Sequence, residues 1–146
     1  LIPGASNISK CYPPYKFAEL TALFDANFLV IWGNKEEKIM ANKIKELSNK
    51  VNICNQLQLE DLMLLISKVD LVIGPDTGPT HIAWAMNIPS ITLFGPTPGY
   101  RNTYKTRINK IIESDSTVDP KKIDKNDKSI LSIEVQDILK LIDELL

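Results

Sequence analysis

Short apolar runs alternate with longer amphipathic segments through the first hundred residues of the chain. The short runs are rich in β-branched and aromatic residues, which favours buried strands. In the longer segments apolar residues recur at helical spacing on a charged background. The pattern predicts strands at 27–32, 51–54, 71–73, 91–94 and 108–112, and helices at 35–50, 59–68 and from Pro79.

Strands and helices that alternate in this way indicate a parallel sheet with helices on both faces. We therefore predict an α/β fold, a Rossmann-like doubly wound parallel sheet, in one domain over residues 1–146. Within it, 119–128 is charged and is predicted as a loop, and 129–146 is predicted as a C-terminal helix. Residues 1–4 resemble the end of a strand, so we expect the chain to belong to a longer protein.

Composition and charge exclude several classes of protein. The chain has 146 residues, 44% of them hydrophobic, and a formal net charge of −1, which argues against nucleic acid as a partner. No apolar run approaches the roughly 18 residues that span a bilayer, and the start carries no basic and apolar leader. Cys11 and Cys54 are too far apart to suggest metal ligands, so we expect reduced thiols and a cytoplasmic protein.

The segment 70–89, DLVIGPDTGPTHIAWAMNIP, carries the most chemically active side chains. Its strand is followed by a turn that holds Asp76, two threonines and His81, and Pro79 suits the first position of the next helix. The backbone N–H groups that would then lack helical partners are those of Thr80, His81 and Ile82. Such donors form an anion pocket, and a diphosphate is the ligand they suggest. A purely structural helix cap is an equally good interpretation of the turn alone.

His81 is the single histidine of the chain, and a histidine is more often a structural hydrogen-bonding group than a catalyst. An acid or base role needs a partner carboxylate, and the sequence shows none for it. The segment 82–86 behind it is apolar all round, which predicts a helix buried on several sides, in a core or against a second domain.

The other candidate residues lie in loops that should share one sheet edge, because the loops after parallel strands meet there. In the loop 4–10, small residues including Ser6 would let the backbone approach phosphate, and Lys10 would add a positive charge. Glu36 and Glu37 lie at the start of a predicted helix, where acidic side chains interact favourably with the helix dipole. Either carboxylate could also accept hydrogen bonds from ribose hydroxyls.

Taken together, these motifs resemble the C-terminal, donor-binding half of the bacterial lipopolysaccharide heptosyltransferases, which have the GT-B fold of two Rossmann-like domains. The resemblance covers roughly residues 1–100. Its motifs are the Gly4-Ala5 loop that leads to Lys10 and Pro13, Trp32-Gly33 before Glu36-Glu37, Asp76-Thr77-Gly78 with His81 and Ala83, and Gly95-Pro96-Thr97.

The resemblance implies transfer of heptose from ADP-heptose to the inner core of lipopolysaccharide, with inversion and with no metal or other cofactor. It places Lys10 and the Thr77-Gly78 turn on the diphosphate, with His81 near the phosphates, and it places Asp76 on the sugar hydroxyls. It also assigns the ribose to Glu37, or to Glu36 if the loop has a gap, and it sets Leu57 beside the adenine. No catalytic residue is expected in this chain, because the family's general base is an aspartate of the N-terminal acceptor domain.

The chain departs from the family pattern in three places. Tyr12 replaces a tryptophan, the interval from Ala5 to Lys10 is one residue short, and an Asp-Pro pair after Thr97 is reduced to Pro98. Other interpretations are a GT-B transferase or epimerase that uses a UDP-sugar, a non-catalytic nucleotide-binding module, or a scaffold that binds partners through 82–86. For the whole enzyme we expect a cytoplasmic location, with peripheral association at the inner face of the inner membrane.

Overall fold

The computed structural model describes residues 1–103, 105–115 and 124–146. Its strands are β1 (Phe28–Val30), β2 (Val51–Ile53), β3 (Val72–Pro75), β4 (Ser90–Phe94) and β5 (Asn109–Glu113). Its α-helices are α1 (Pro14–Leu23), α2 (Lys35–Leu47), α3 (Leu59–Ile66), α4 (Gly78–Ala85), α5 (Gly99–Asn102) and α6 (Val135–Leu145). Two 3₁₀ turns lie at Ile8–Lys10 and Ser129–Ser132.

All strand pairs among the described residues are parallel, with β1 beside β2 in one sheet and the order β3-β4-β5 in the other. The first two residues of the chain join these sheets. Ile31 donates its N–H to the carbonyl of Leu1 at 3.1 Å, and Ile2 donates its N–H to the carbonyl of Ile73 at 2.9 Å. The loop that follows Ile2 therefore leaves from the centre of the combined sheet, and the predicted α/β class is confirmed.

Several element boundaries differ from the predicted ones. The helix predicted at 35–50 ends at Leu47, because Ser48 adopts an extended conformation and its hydroxyl accepts a hydrogen bond from Thr21 at 2.7 Å. The final helix begins at Val135 rather than Ser129, since residues 129–132 form a 3₁₀ turn. Of the predicted loop 119–128, residues 119–123 lie outside the described residues.

Helix α4 is less buried than its apolar sequence suggests. Ala83 is fully buried, whereas Ala85 is exposed and the neighbouring residues are half-buried. The prediction that 82–86 is covered on several sides by the core of this domain is therefore wrong. Cover by a second domain stays a prediction.

The segment before α6 is tied to α1 and to the residues just before it by two buried side chains. The Tyr12 hydroxyl donates to the carbonyl of Ile133 at 3.0 Å, and the Lys16 ammonium donates to the carbonyls of Leu131 and Ile133 at 2.8 and 2.7 Å. These bonds fix the chain that follows the 3₁₀ turn at Ile8–Lys10 to the segment before α6. No helix within the described ranges is long and apolar enough to cross a membrane.

Candidate functional site

The side chains with the strongest mutual contacts meet at the carboxyl ends of the strands. Asp76, directly after β3, is only 4% exposed, yet its carboxylate is surrounded by donors. Its Oδ2 lies 2.7 Å from the Lys10 ammonium and accepts a hydrogen bond from the Thr97 hydroxyl at 3.1 Å. Its Oδ1 lies 2.8 Å from Nε2 of His81. One buried carboxylate thus joins three loops of the sheet edge.

Because the side chains of this network are largely buried, their charges interact strongly. The Lys10 and Asp76 side chains are 9% and 5% exposed, so water screens their attraction little. The His81 side chain is 37% exposed and forms the open side of the network. The carboxylate partner that the sequence did not show for His81 is therefore Asp76, five residues before it.

Helix α4 begins one residue earlier than predicted. Gly78 is its first residue and Pro79 its second, and the N–H of His81 already bonds the carbonyl of Thr77 at 3.2 Å. The three free N–H groups that the sequence suggested are therefore not free, because His81 and Ile82 lie beyond the first turn and the N–H of Thr80 faces the Thr77 side chain in a capping box. A Cβ placed on Gly78 would meet nothing within 4 Å, so there is open space beside the first residue of the helix.

A hydroxyl holds the turn before α4 in shape. Thr80 accepts a hydrogen bond from the N–H of Thr77 at 3.2 Å, and its Oγ1 lies 2.8 Å from the carbonyl of Pro75. The threonine is 1% exposed and does not face the open helix start. Its role is to fix the backbone between β3 and the helix.

A cavity of about 220 Å³ lies beside this turn. It brings together three predicted site residues, Glu37, Leu57 and Thr77. Glu36 is exposed and is not part of the cavity wall. The remaining wall is formed by Ile2, Gly4, Ile31, Trp32, Gly33, Leu62 and Pro79. Of the two glutamates that the sequence left open, the structure brings Glu37 to the cavity.

The Glu37 carboxylate is held in one orientation. Its Oε2 accepts the N–H of Gly33 at 2.6 Å, and the carbonyl of Gly33 accepts a bond from the Gln56 amide at 2.9 Å. On the other side, a Cβ on Gly4 would lie 2.2 Å from Cγ of Glu37. A glycine at position 4 is therefore needed for the glutamate to occupy this place.

Ser6 stands apart from both groups. It is exposed in the loop between Gly4 and the 3₁₀ turn, whereas Lys10 at the end of that turn is 8% exposed. Thr97 and Gln56 are the contacts that sequence reasoning missed, although Thr97 belongs to one of the quoted motifs. In the described part of the chain, no group of three or more His, Cys, Asp or Glu side chains could hold a metal ion.

The fold is of the α/β class, and comparison with known proteins gives the family. Residues 1–130 match glycosyltransferase family 9 (heptosyltransferase), and the chain belongs to that family. It is 43% identical over 152 aligned positions to the lipopolysaccharide heptosyltransferase 1 of Campylobacter coli, which covers 97% of this chain. The alignment takes in 44% of that relative, so the chain spans less than half its length.

Solved structures agree on the fold. The E. coli heptosyltransferase WaaC with ADP superposes with a TM-score of 0.83 at 18% identity, covering 99% of this chain and 43% of WaaC. The same enzyme with ADP-2-deoxy-2-fluoro heptose gives a TM-score of 0.78 at 18% identity, with 98% and 41% covered. At these identities the likeness establishes the fold alone, which is the fold that the sequence motifs implied.

Proposed function

We propose that this chain is the C-terminal, donor-binding domain of a lipopolysaccharide heptosyltransferase, with residues 1–146 as one domain. It binds ADP-heptose, and the whole enzyme transfers the heptose to the inner core of lipopolysaccharide with inversion. The observation that carries the proposal is the meeting of Lys10, the open start of α4 and the Glu37 cavity at one sheet edge. The 43% identity to a heptosyltransferase 1 supports this substrate.

The nucleoside part of the donor fits the cavity side of the edge. Glu37 has one carboxylate oxygen bonded to Gly33, and its other oxygen is available to accept a ribose hydroxyl. Leu57 offers apolar surface to the adenine. The diphosphate then lies at Gly78, where helix α4 opens, with Thr77 beside it.

The reaction itself displaces the diphosphate. The acceptor hydroxyl oxygen forms a bond to the anomeric carbon as the bond from that carbon to the diphosphate oxygen breaks. The hydroxyl proton passes to a base that lies in the acceptor-binding part of the enzyme, outside this chain. Lys10 and the start of α4 stabilise the negative charge that grows on the departing ADP, so this domain contributes electrostatic stabilisation of the transition state.

A location follows from the acceptor. For the whole enzyme we propose a cytoplasmic location at the inner face of the inner membrane, where it would reach a lipid-linked acceptor. We propose that this displacement uses no metal or other cofactor, since Lys10 and the start of α4 can stabilise the negative charge on the departing ADP.

Activity of the full-length protein tests the proposal. We expect transfer of heptose from ADP-heptose to a heptose-free lipopolysaccharide acceptor, detected by mass spectrometry as the mass gain of one heptose. Calorimetric titration with ADP, UDP and GDP should show preference for ADP. Preference for UDP would instead support a UDP-sugar enzyme, and nucleotide binding without transfer would support a regulatory module. Absence of nucleotide binding would contradict all of these.

A further inference from the structure

The family resemblance gives Lys10 and Asp76 separate partners on the donor, yet the structure pairs them with each other. Lys10 should contact the diphosphate and Asp76 the sugar hydroxyls, but their charged atoms are 2.7 Å apart and both side chains are nearly enclosed. In this arrangement the positive charge that should meet the phosphates is already neutralised. The two proposed roles require the pair to separate.

The Oδ2 atom of Asp76 has no room for a sugar hydroxyl while the pair is closed. A carboxylate oxygen has about two acceptor positions. On Asp76, Oδ2 is occupied by the Lys10 ammonium and the Thr97 hydroxyl, and Oδ1 is in contact with His81. A sugar hydroxyl can therefore bond Oδ2 only after one donor leaves.

Lys10 is the donor best able to leave. The Thr97 hydroxyl is on a short side chain that is 4% exposed, and His81 is held by the first turns of α4. The lysine ammonium is carried by a flexible four-carbon stem. The start of α4, where the diphosphate would bind, begins two residues after Asp76, so the ammonium has a short path to it.

We propose that binding of the sugar nucleotide exchanges partners at Asp76. Lys10 moves from the carboxylate to the diphosphate, and a hydroxyl of the sugar takes the vacated position on Oδ2. This inference rests on the proposed function and deepens it. ADP without the sugar offers the lysine a new partner but leaves the buried carboxylate short of one, which is costly. The Lys10–Asp76 pair therefore selects the sugar nucleotide over ADP, and it favours release of ADP after transfer.

Affinities of the full-length protein for ADP and ADP-heptose, measured by isothermal titration calorimetry, test the exchange. Asp76→Asn removes the charge that competes for Lys10, so ADP should bind about tenfold more tightly. The affinity for ADP-heptose should increase less, because an amide is a weaker acceptor for the sugar hydroxyl than the carboxylate that it replaces. The ratio of the two affinities should shrink accordingly. An unchanged or weaker affinity for ADP would overturn the exchange.

A second variant separates the exchange from simple charge repulsion, since loss of a carboxylate favours any anion. In a Lys10→Met background there is no ammonium to release, so Asp76→Asn should strengthen ADP binding clearly less than it does when Lys10 is present. An equal or larger gain there would show repulsion alone and would overturn the proposal.

Thr97→Val provides a third test that changes no charge, and it serves if the lysine variants do not fold. Loss of the hydroxyl makes Oδ2 depend more on Lys10, so ADP should bind several-fold more weakly, and Thr97→Ser should restore the affinity. Unaltered ADP affinity in folded Thr97→Val would contradict the exchange. If the wild-type protein binds neither nucleotide, the proposed function fails first, and the exchange falls with it.

Discussion

Gly4 and Glu37 are packed so closely that a Cβ added to Gly4 would lie 2.2 Å from the glutamate Cγ and 2.6 Å from its Oε1. Gly4 lies in a loop of the sheet edge and Glu37 in the first turn of α2, and both line the cavity proposed for the nucleoside. The glycine is therefore a steric requirement for the orientation of the carboxylate. Backbone strain does not enter, since among the described glycines none has a positive φ.

Gly4→Ala should accordingly weaken nucleotide binding by displacing Glu37, and we expect a loss of about 1–3 kcal/mol in unfolding free energy from overpacking. Calorimetric titration with ADP and urea denaturation would measure the two effects. Gly33→Ala is the matched control, because its Cβ would lie 3.4 Å from the same carboxylate, an ordinary contact. Equal ADP affinity in the two variants would show that the approach of Gly4 to Glu37 does not matter for binding.

Single substitutions of the two neighbouring glutamates distinguish the residue that lines the cavity, Glu37, from the one that only lies in the first turn of α2, Glu36. Glu37→Gln should lower ADP affinity about tenfold, as expected for a weakened hydrogen bond to a charged group. Glu36→Gln changes an exposed side chain outside the cavity wall and should bind ADP as the wild type does. A larger loss from Glu36→Gln would reassign the ribose contact to that residue.

Lys10→Ala should lower the transfer rate of the full-length enzyme by about 10²–10³, the usual effect of losing one donor to a developing charge. Because it leaves the buried Asp76 carboxylate without its cation, it should also destabilise the fold by about 3–5 kcal/mol. Rates must therefore be measured well below the unfolding temperature of the variant.

Lys16→Met is the control for that loss of stability. Lys16 is also a buried lysine, but its ammonium bonds the carbonyls of Leu131 and Ile133 rather than a residue of the site. It should reduce the unfolding free energy and leave kcat of the folded protein close to the wild-type value. A hundredfold lower kcat in Lys16→Met would mean that the Lys10 result reflects stability.

The buried phenol of Tyr12 should make the unfolding free energy of the protein decrease at high pH. Burial, aided by nearby carboxylates such as Glu134, raises the pKa of its phenol well above the ordinary value of about 10. The neutral phenol is thus favoured in the folded state, and its contribution is complete below pH 10 and declines as the pH rises beyond it. Relative to Tyr12→Phe, the wild-type unfolding free energy should fall by about 1.4 kcal/mol per pH unit above pH 10.

Urea denaturation of both proteins between pH 8 and 11, followed by tryptophan fluorescence, measures this difference. The lysines and the other tyrosines titrate in both proteins, so they cancel in the comparison. A difference that stays constant across this range would mean that the Tyr12 phenol ionises as easily in the folded chain as in the unfolded one.

Short strands rich in apolar and β-branched residues could be predicted from the sequence. The runs at 51–54 and 91–94 gave strands close to the observed ones, because a buried strand leaves a local signature in a few residues. Helix boundaries were less predictable. The end of α2 depends on Ser48, whose hydroxyl bonds Thr21 in another helix, and such a contact leaves no mark in the local pattern.

The candidate site was likewise predictable only in part from the sequence. Parallel strands bring their following loops to one edge, so the meeting of Lys10 and Asp76 could be expected in outline. Their direct pairing could not, since it depends on where two flexible side chains find partners after the loops have packed. Thr97 illustrates the point, because its motif was recognised while its bond to Asp76 was visible only in the structure.

The Asp76 carboxylate connects residues that are far apart in the sequence, Lys10 on one side and Thr97 on the other. Contacts of such long sequence separation form only when the intervening crossovers have packed, so no short piece of the chain can assemble this cluster. Donor binding and folding of the domain are therefore thermodynamically linked. A ligand that requires the cluster binds the folded state alone and shifts the folding equilibrium toward it by mass action.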